Sequence, residues 1–212
     1  MNKLQVAQNI IDTCLEMTQL GLNQGTAGNV SVRYDQGMMI TPSGIPYEIL
    51  SPEQIVYVDN YGNSEAGKLP SSEWRFHLAC YQVRPDANAV IHNHALNCTG
   101  VSILNKSIPA IHYMVAAGGG KDIPCAPYAT FGSEVLSHHV TAAMRSRKAI
   151  LLQHHGMIAA EANLEKALWL AHEVEVLAKI YLKLLAIGDV PVLPDEEIDV
   201  VLEKFKTYGL RQ

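Results

Sequence analysis

The chain has 212 residues, 48% of them apolar, and its 16 lysines and arginines against 21 aspartates and glutamates leave a net charge of -5. That length and apolar content suit one compact domain with a sizeable core, and the acidic balance leaves no basic footprint, which excludes nucleic acid as a partner. No apolar run approaches the ~20 residues of a membrane span, which excludes a membrane helix, and MNKLQVAQNI lacks the apolar core of a signal peptide.

Cys14, Cys80, Cys98 and Cys125 are scattered without a Cys-x-x-Cys pair, and read as packed, reduced thiols of a soluble cytoplasmic protein. Leu4, Ala7, Ile11, Cys14 and Met17 recur at helical spacing, and Gly21 and Gly25 stop that helix ahead of the strand NVSVRY, where Val30 and Val32 alternate with polar neighbours. GMMITPSGIPY and EQIVYVDNYGN follow as short strands punctuated by turns. LPSSEWRFHLACYQ sets Pro70 and two serines before an amphipathic segment, which predicts a helix with Ser71 or Ser72 as N-cap and Glu73 in its first turn. AVIHNH, PAIHYMV and AILLQHHGMIAA read as strands. Gly132 to Ser146 and Asn163 to Ala186 read as helices, the latter with Leu164, Ala167, Leu168, Ala171, Val174 and Leu177 at core spacing. Strands and helices do not alternate regularly, and there is no repeat, low-complexity tract or linker. The expected fold is therefore α/β of the α+β type, a single three-layer α/β/α domain over residues 1–212 around a largely antiparallel sheet.

The chemistry begins at His92 and His94, two residues apart on a strand and so on one face, with Cα atoms ~6.5 Å apart, a spacing that suits two ligands of one ion. Two further suppliers exist. Glu73 stands at a helix start, and LLQHHG offers His154 and His155, which point to opposite faces of a strand so that at most one joins; periodicity does not choose between them. Three imidazoles and a carboxylate make a zinc-type set. His77, His112, His138, His139 and His172 lack paired spacing and read as structural or surface residues. A cupin would carry a glutamate soon after its His-x-His, where ALNCTG has none, and a TIM-barrel hydrolase needs a longer chain. GTAGNV, TPSG and PSSE each place glycines or hydroxyls at turns or a helix start, where free N–H groups grip an anion. One of them abuts Glu73, which sets a phosphate anchor and a metal anchor within the length of a small sugar phosphate.

QGTAGNVSVR, LPSSEWRFH, VIHNHA, LLQHHG and EKFKTYGLR, in order and spacing over nearly the whole chain, resemble the class II aldolase and epimerase family. The resemblance lies nearest the branch that reversibly cleaves L-fuculose 1-phosphate to dihydroxyacetone phosphate and L-lactaldehyde. It implies a C4 homotetramer with active sites at subunit interfaces and one zinc per subunit, held by Glu73, His92, His94 and His155, with His154 left to a supporting role. Gly28, Asn29, Ser43, Gly44, Ser71 and Ser72 fall around the phosphate and ketose head. Glu73 is then also the candidate proton carrier, and Tyr113 reaches a neighbouring subunit's site as acid and base at the aldehyde oxygen. Phe131, Phe205 and Tyr208 shape the aldehyde side, the last two from a C-terminal tail. Val115 to Asp122 is expected as a flexible loop near the site. Two departures from the family pattern are small: the tail ends soon after YGLRQ, and AIGDVPVLPDEE is one residue short. The same family includes L-ribulose-5-phosphate 4-epimerases, which typically carry aspartate where this chain reads SSE, and non-catalytic adducin-like scaffolds, which lose the ligand set that is filled here.

Overall fold

The structure is a computed structural model that describes residues 2–207. The first helix, α1 (Lys3–Gln19), is capped by the Asn2 side chain, which accepts from Gln5 N, and buries Val6, Ala7, Ile10, Ile11, Cys14 and Met17 along one stripe. A loop carrying GTAG then leads into β1 (Asn29–Tyr34), followed by β2 (Gly37–Ile40) and β3 (Val56–Asp59). Next come α2 (Trp74–Val83), β4 (Ala89–Asn93), α3 (Leu96–Ile103), β5 (Cys125–Ala126) and α4 (Glu134–Met144). The chain closes with β6 (Ala149–Leu152), β7 (Gly156–Glu161), α5 (Leu164–Leu185) and α6 (Asp195–Phe205).

The seven strands form one sheet in the order β3-β2-β1-β4-β7-β6-β5, antiparallel throughout except for the short β5–β6 pair. Strand alternation sends Val30, Ala89, Ile91, Met157 and Ala159 to one face, where α1, α3 and α5 cover them. It sends Val90, Ile150, Ile158 and Ala160 to the other, under Phe76, Leu78, Cys80 and Tyr81 of α2 and Leu136, Val140 and Met144 of α4. The expected three-layer arrangement around a largely antiparallel sheet is therefore what forms. Among the described residues no helix is long and apolar enough to cross a membrane.

Three local expectations need correction. PAIHYMV is not a strand: the one bridge nearby, Ile108 to Ile123, lies just before it, and Tyr113–Gly118 wind into a 3-10 turn capped by the His112 ring, which accepts from Met114 N. Ile111, Met114 and Val115 pack on the core at helical spacing, a pattern that the apparent alternation hid. Val115 to Asp122 accordingly begins as that turn, tied down where Lys148 N donates to Gly118 O at 2.7 Å. AILLQHHGMIAA is two strands, β6 and β7, with Gln153, His154 and His155 as the hairpin turn. Ser71 and Ser72 do not cap α2. The Ser71 hydroxyl accepts from Glu73 N at 3.3 Å, so the helix starts one residue later and Glu73 itself is the N-cap, with no capping bond from its side chain. Its carboxylate is turned elsewhere.

Candidate active site

β4 runs through the centre of the sheet and ends where the site begins. His92, paired in register with Asn29 of β1 and Ile158 of β7, is fully buried on the α2 side, and its ring meets Phe76 edge-on at 5.3 Å. His94 lies just past the strand end. The Gln153–His155 turn brings in the third imidazole. His154 takes a left-handed backbone, φ 55°, and His155 N donates back to Leu152 O at 3.0 Å, which closes the turn and aims the His155 ring inward while His154 faces the opening. Backbone geometry thus makes the choice that periodicity left open. Glu73, freed from capping, reaches the same point from α2.

One donor atom from each of Glu73, His92, His94 and His155 lies within 4.8 Å of all the others. Glu73 Oε2 is 3.1 Å from His92 Nε2, Glu73 Oε1 is 3.3 Å from His155 Nε2, and His92 Nε2 is 3.0 Å from His94 Nε2. His92 Nδ1 donates to Met157 O at 2.9 Å, which fixes the tautomer and turns the Nε2 lone pair into the cluster. Glu73 Oε1 is buried and receives no hydrogen bond. Lone pairs facing one another around a small volume, with an orphaned carboxylate oxygen among them, are what a cation of zinc size and preference resolves. The four residues fit such an ion.

Electrostatics agree with that reading. Burial pushes the Glu73 carboxyl up, but the imidazoles of His92 and then His155, with the Asn29 amide, outweigh it and hold the group well below the usual carboxylate range. Burial, followed by His92, lowers His94 to about 4 and His155 to about 3. Near neutral pH both are proton-free, as ligands must be. Asn29 Nδ2 donates to Glu73 Oε2 at 3.1 Å.

The cluster opens into a cleft of about 340 Å³ whose lining includes Gly28, Asn29, Ser43, Gly44, Ser71, Ser72, Glu73, His94, Phe131 and His155. All three small-residue clusters therefore meet at the metal-type site. Gly28 has φ +83°, and a Cβ there would stand 2.8 Å from His92 O, so this loop lies against the strand only because the position is glycine. Ser43 N is already spent on Leu69 O, which leaves its hydroxyl for a ligand. Thr26, Tyr128 and His154 line the same cleft. Thr26 belongs to the GTAGNV cluster that the sequence singled out without naming this residue, Tyr128 was passed over with proximity to Phe131 as its only signal, and His154 was given a supporting role. Tyr113 lies at the start of the 3-10 turn, 48% exposed and outside this lining. Phe205 packs against the Ala110, Ala116 and Ile198 cluster and borders a separate groove with Met114 and Trp169. Tyr208 lies outside the described residues.

Residues 8–182 match the family described as the class II aldolase and adducin N-terminal domain. The L-fuculose phosphate aldolase of Escherichia coli strain K12 is 73% identical over 212 residues, covering 100% of this chain and 99% of that protein. A 5-methylthioribulose-1-phosphate/5-deoxyribulose-1-phosphate aldolase of Escherichia coli O45:K1 is 58% identical, with 100% of both chains covered. Among solved structures, an L-fuculose 1-phosphate aldolase superposes with a TM-score of 0.92 at 42% identity, covering 97% of this chain and 98% of its own.

Proposed function

The chain belongs to the class II aldolase and adducin N-terminal domain family, and on that premise we propose that it cleaves L-fuculose 1-phosphate reversibly to dihydroxyacetone phosphate and L-lactaldehyde. It is a lyase of the metal-dependent aldolase class. The observation that carries the reading is the convergence of Glu73, His92, His94 and His155 with the serine and glycine clusters on one cleft. The ligand set of three imidazoles and one carboxylate favours zinc, one per chain. A cation held there supplies a Lewis acid that stabilises the negative charge left on two neighbouring oxygens when the carbon–carbon bond breaks, typically several kcal/mol.

The chain's own residues do the rest. Gly28, Asn29, Ser43, Gly44, Ser71 and Ser72 hold the phosphate and ketose head, leaving the carbon beside the carbonyl next to Glu73. A base removes the proton from the hydroxyl that becomes the aldehyde oxygen, the bond electrons pass to the ketone fragment, and Glu73, ionised at rest, takes a proton from solvent and delivers it to that fragment's carbon. Positioned proton transfer of this kind is worth ~10² to 10⁴ in rate. Tyr113 is the base at the aldehyde oxygen. Half-exposed and outside its own chain's cleft, it acts on the site of a neighbouring copy, which makes a C4 homotetramer the active form. Exposed apolar side chains such as Leu96, Ile103 and Ile187 support such an assembly. Phe131 borders the aldehyde from this cleft, and Phe205, which lies on a separate groove of its own chain, serves the site of a neighbouring copy. Residues 1–212 act as one catalytic unit in the cytoplasm.

The test is an assay of purified protein with L-fuculose 1-phosphate, 5-methylthioribulose 1-phosphate and L-ribulose 5-phosphate, with dihydroxyacetone phosphate release coupled to a reductase. Cleavage of the first with the highest kcat/KM supports the reading. Preference for the second moves the chain to the other aldolase branch, and isomerisation of the third without cleavage overturns the reading in favour of an epimerase.

A further inference from the structure

Behind Glu73 and Asn29 a buried polar chain continues through His77, Ser31 and Tyr81, which none of the steps above uses. Asn29 Nδ2 reaches Glu73 Oε2 at 3.1 Å, His77 Nε2 is 2.5 Å from Asn29 Oδ1, Ser31 Oγ is 2.7 Å from His77 Nδ1, and Tyr81 Oη is 2.8 Å from Ser31 Oγ. Asn29, Ser31, Glu73, His77 and Tyr81 are all at most 6% exposed, deep in the layer between α2 and the sheet. Sheet alternation puts Asn29 and Ser31 on the same face of β1, opposite His77 and Tyr81, which lie one helical turn apart on α2.

The direction of every bond follows from the carboxylate outward. Ionised Glu73 only accepts, so Asn29 turns its amide N–H toward it and leaves Oδ1 facing His77. Oδ1 only accepts, so His77 carries its proton on Nε2. A neutral ring has one N–H, so Nδ1 accepts from the Ser31 hydroxyl, which in turn accepts from Tyr81. If Asn29 flipped, Oδ1 would face a carboxylate oxygen at about the same 3.1 Å, and its N–H groups would face the Nε2 proton of His77. The His77 tautomer therefore locks the amide, and the amide holds the carboxylate oxygen that faces His92.

We propose that His77, backed by Ser31 and Tyr81, is a positioning residue that sets the orientation of the Glu73 carboxylate through Asn29, both for cation binding and for proton transfer. The proposal rests on the aldolase reading for its catalytic half alone. Outer groups that orient a ligating carboxylate commonly contribute about 10- to 100-fold in metal affinity or activity.

His77→Phe keeps a flat ring to stack on Phe76, whose centroid is 5.0 Å away, and removes both nitrogens. His77→Gln restores an N–H near the position of Nε2. Zinc affinity of each is read by competition with a chromophoric chelator, alongside circular dichroism and the split between kcat and KM. His77→Phe should bind zinc about 10- to 100-fold more weakly and lose kcat rather than raise KM, and His77→Gln should recover most of both. A folded His77→Phe with wild-type zinc affinity and kcat overturns the proposal, as does an equal loss in the two variants, which would assign the effect to packing. If His77→Phe does not fold, Ser31→Ala decides: a smaller loss of zinc affinity in the same direction supports the chain, and none overturns it. A wild-type protein that cleaves no ketose 1-phosphate defeats the functional reading and leaves the zinc measurement of His77 standing.

Discussion

Gly156 is the point at which a single methyl group should dismantle the metal-type site. It opens β7 against the end of β4, and a Cβ there would stand 2.2 Å from Asn93 O and 3.0 Å from His94 Cδ2. Carbon contacts settle at ~3.5–4.0 Å, so Gly156→Ala requires a displacement of about 1 Å at the strand end and about 0.5 Å at the ring. The two strands are held in register by Asn93 opposite Met157, so the shift falls on the segment that carries His94. Overpacking of this kind costs ~1–3 kcal/mol, and metal ligation tolerates only ~0.2 Å, so His94 drops out of the set. The expected result is a zinc affinity at least ~10-fold weaker, equivalent to ~1.4 kcal/mol, and a metal-free melting temperature lower by roughly 2 to 12 °C. Chelator competition and thermal denaturation read the two. Gly100→Ala is the control, because its Cβ would meet only the flexible end of Leu182 at 3.0 Å, and zinc affinity should be unchanged. A Gly156→Ala protein with wild-type zinc affinity and turnover would refute the claim that the close approach of β7 to β4 places His94.

Other perturbations probe different parts of the site. Glu73→Gln keeps the shape and removes the charge and the proton carrier; turnover should fall by at least ~10²-fold while substrate still binds, and an unchanged rate assigns proton transfer elsewhere. Ser72→Ala removes a hydroxyl from the cleft beside Glu73, and the loss of one bond to a charged phosphate, ~1.5–3 kcal/mol, should raise KM about 10- to 100-fold with little change in kcat. Acid should destabilise the metal-free protein. Burial, with His92 close by, holds His77 down to about 3 against 6.5 in the unfolded chain, so below pH 6.5 the unfolded state binds a proton that the folded state refuses. Stability is lost as pH falls from 6.5 toward 3, by about 2 kcal/mol from this residue alone between pH 6.5 and 5. Urea unfolding at several pH values measures it, and greater stability at pH 5 than at pH 7 contradicts the assignment.

The layers and the sheet were legible in the sequence because they rest on long periodic runs. Asn163 caps α5 and Ala186 ends it, the bounds that the apolar stripe and its flanking residues indicated. What was misread rested on short runs with two valid periods. In PAIHYMV, Pro109 removes a backbone donor, and among the described residues no strand pairs with the segment, which keeps helical spacing instead. In LPSSEWRFH, both serines are good caps in isolation. The Ser71 hydroxyl instead closes a turn onto Glu73 N and hands the cap position to a residue that local propensity would not choose. The choice of His155 over His154 depended on one left-handed residue in a three-residue turn, which no hydrophobic pattern encodes. His77 was invisible as more than a structural histidine, since its partners Asn29 and Ser31 are 48 and 46 residues away in the chain. Only the register of β1 against α2 brings them together.

The most direct test of the central claim is to strip the purified protein with a chelator, confirm that metal is gone, and follow L-fuculose 1-phosphate cleavage as zinc is titrated back. Activity should vanish in the metal-free protein and return in proportion to zinc, reaching its plateau at about one ion per chain. Full turnover in protein shown to hold no metal would contradict the account.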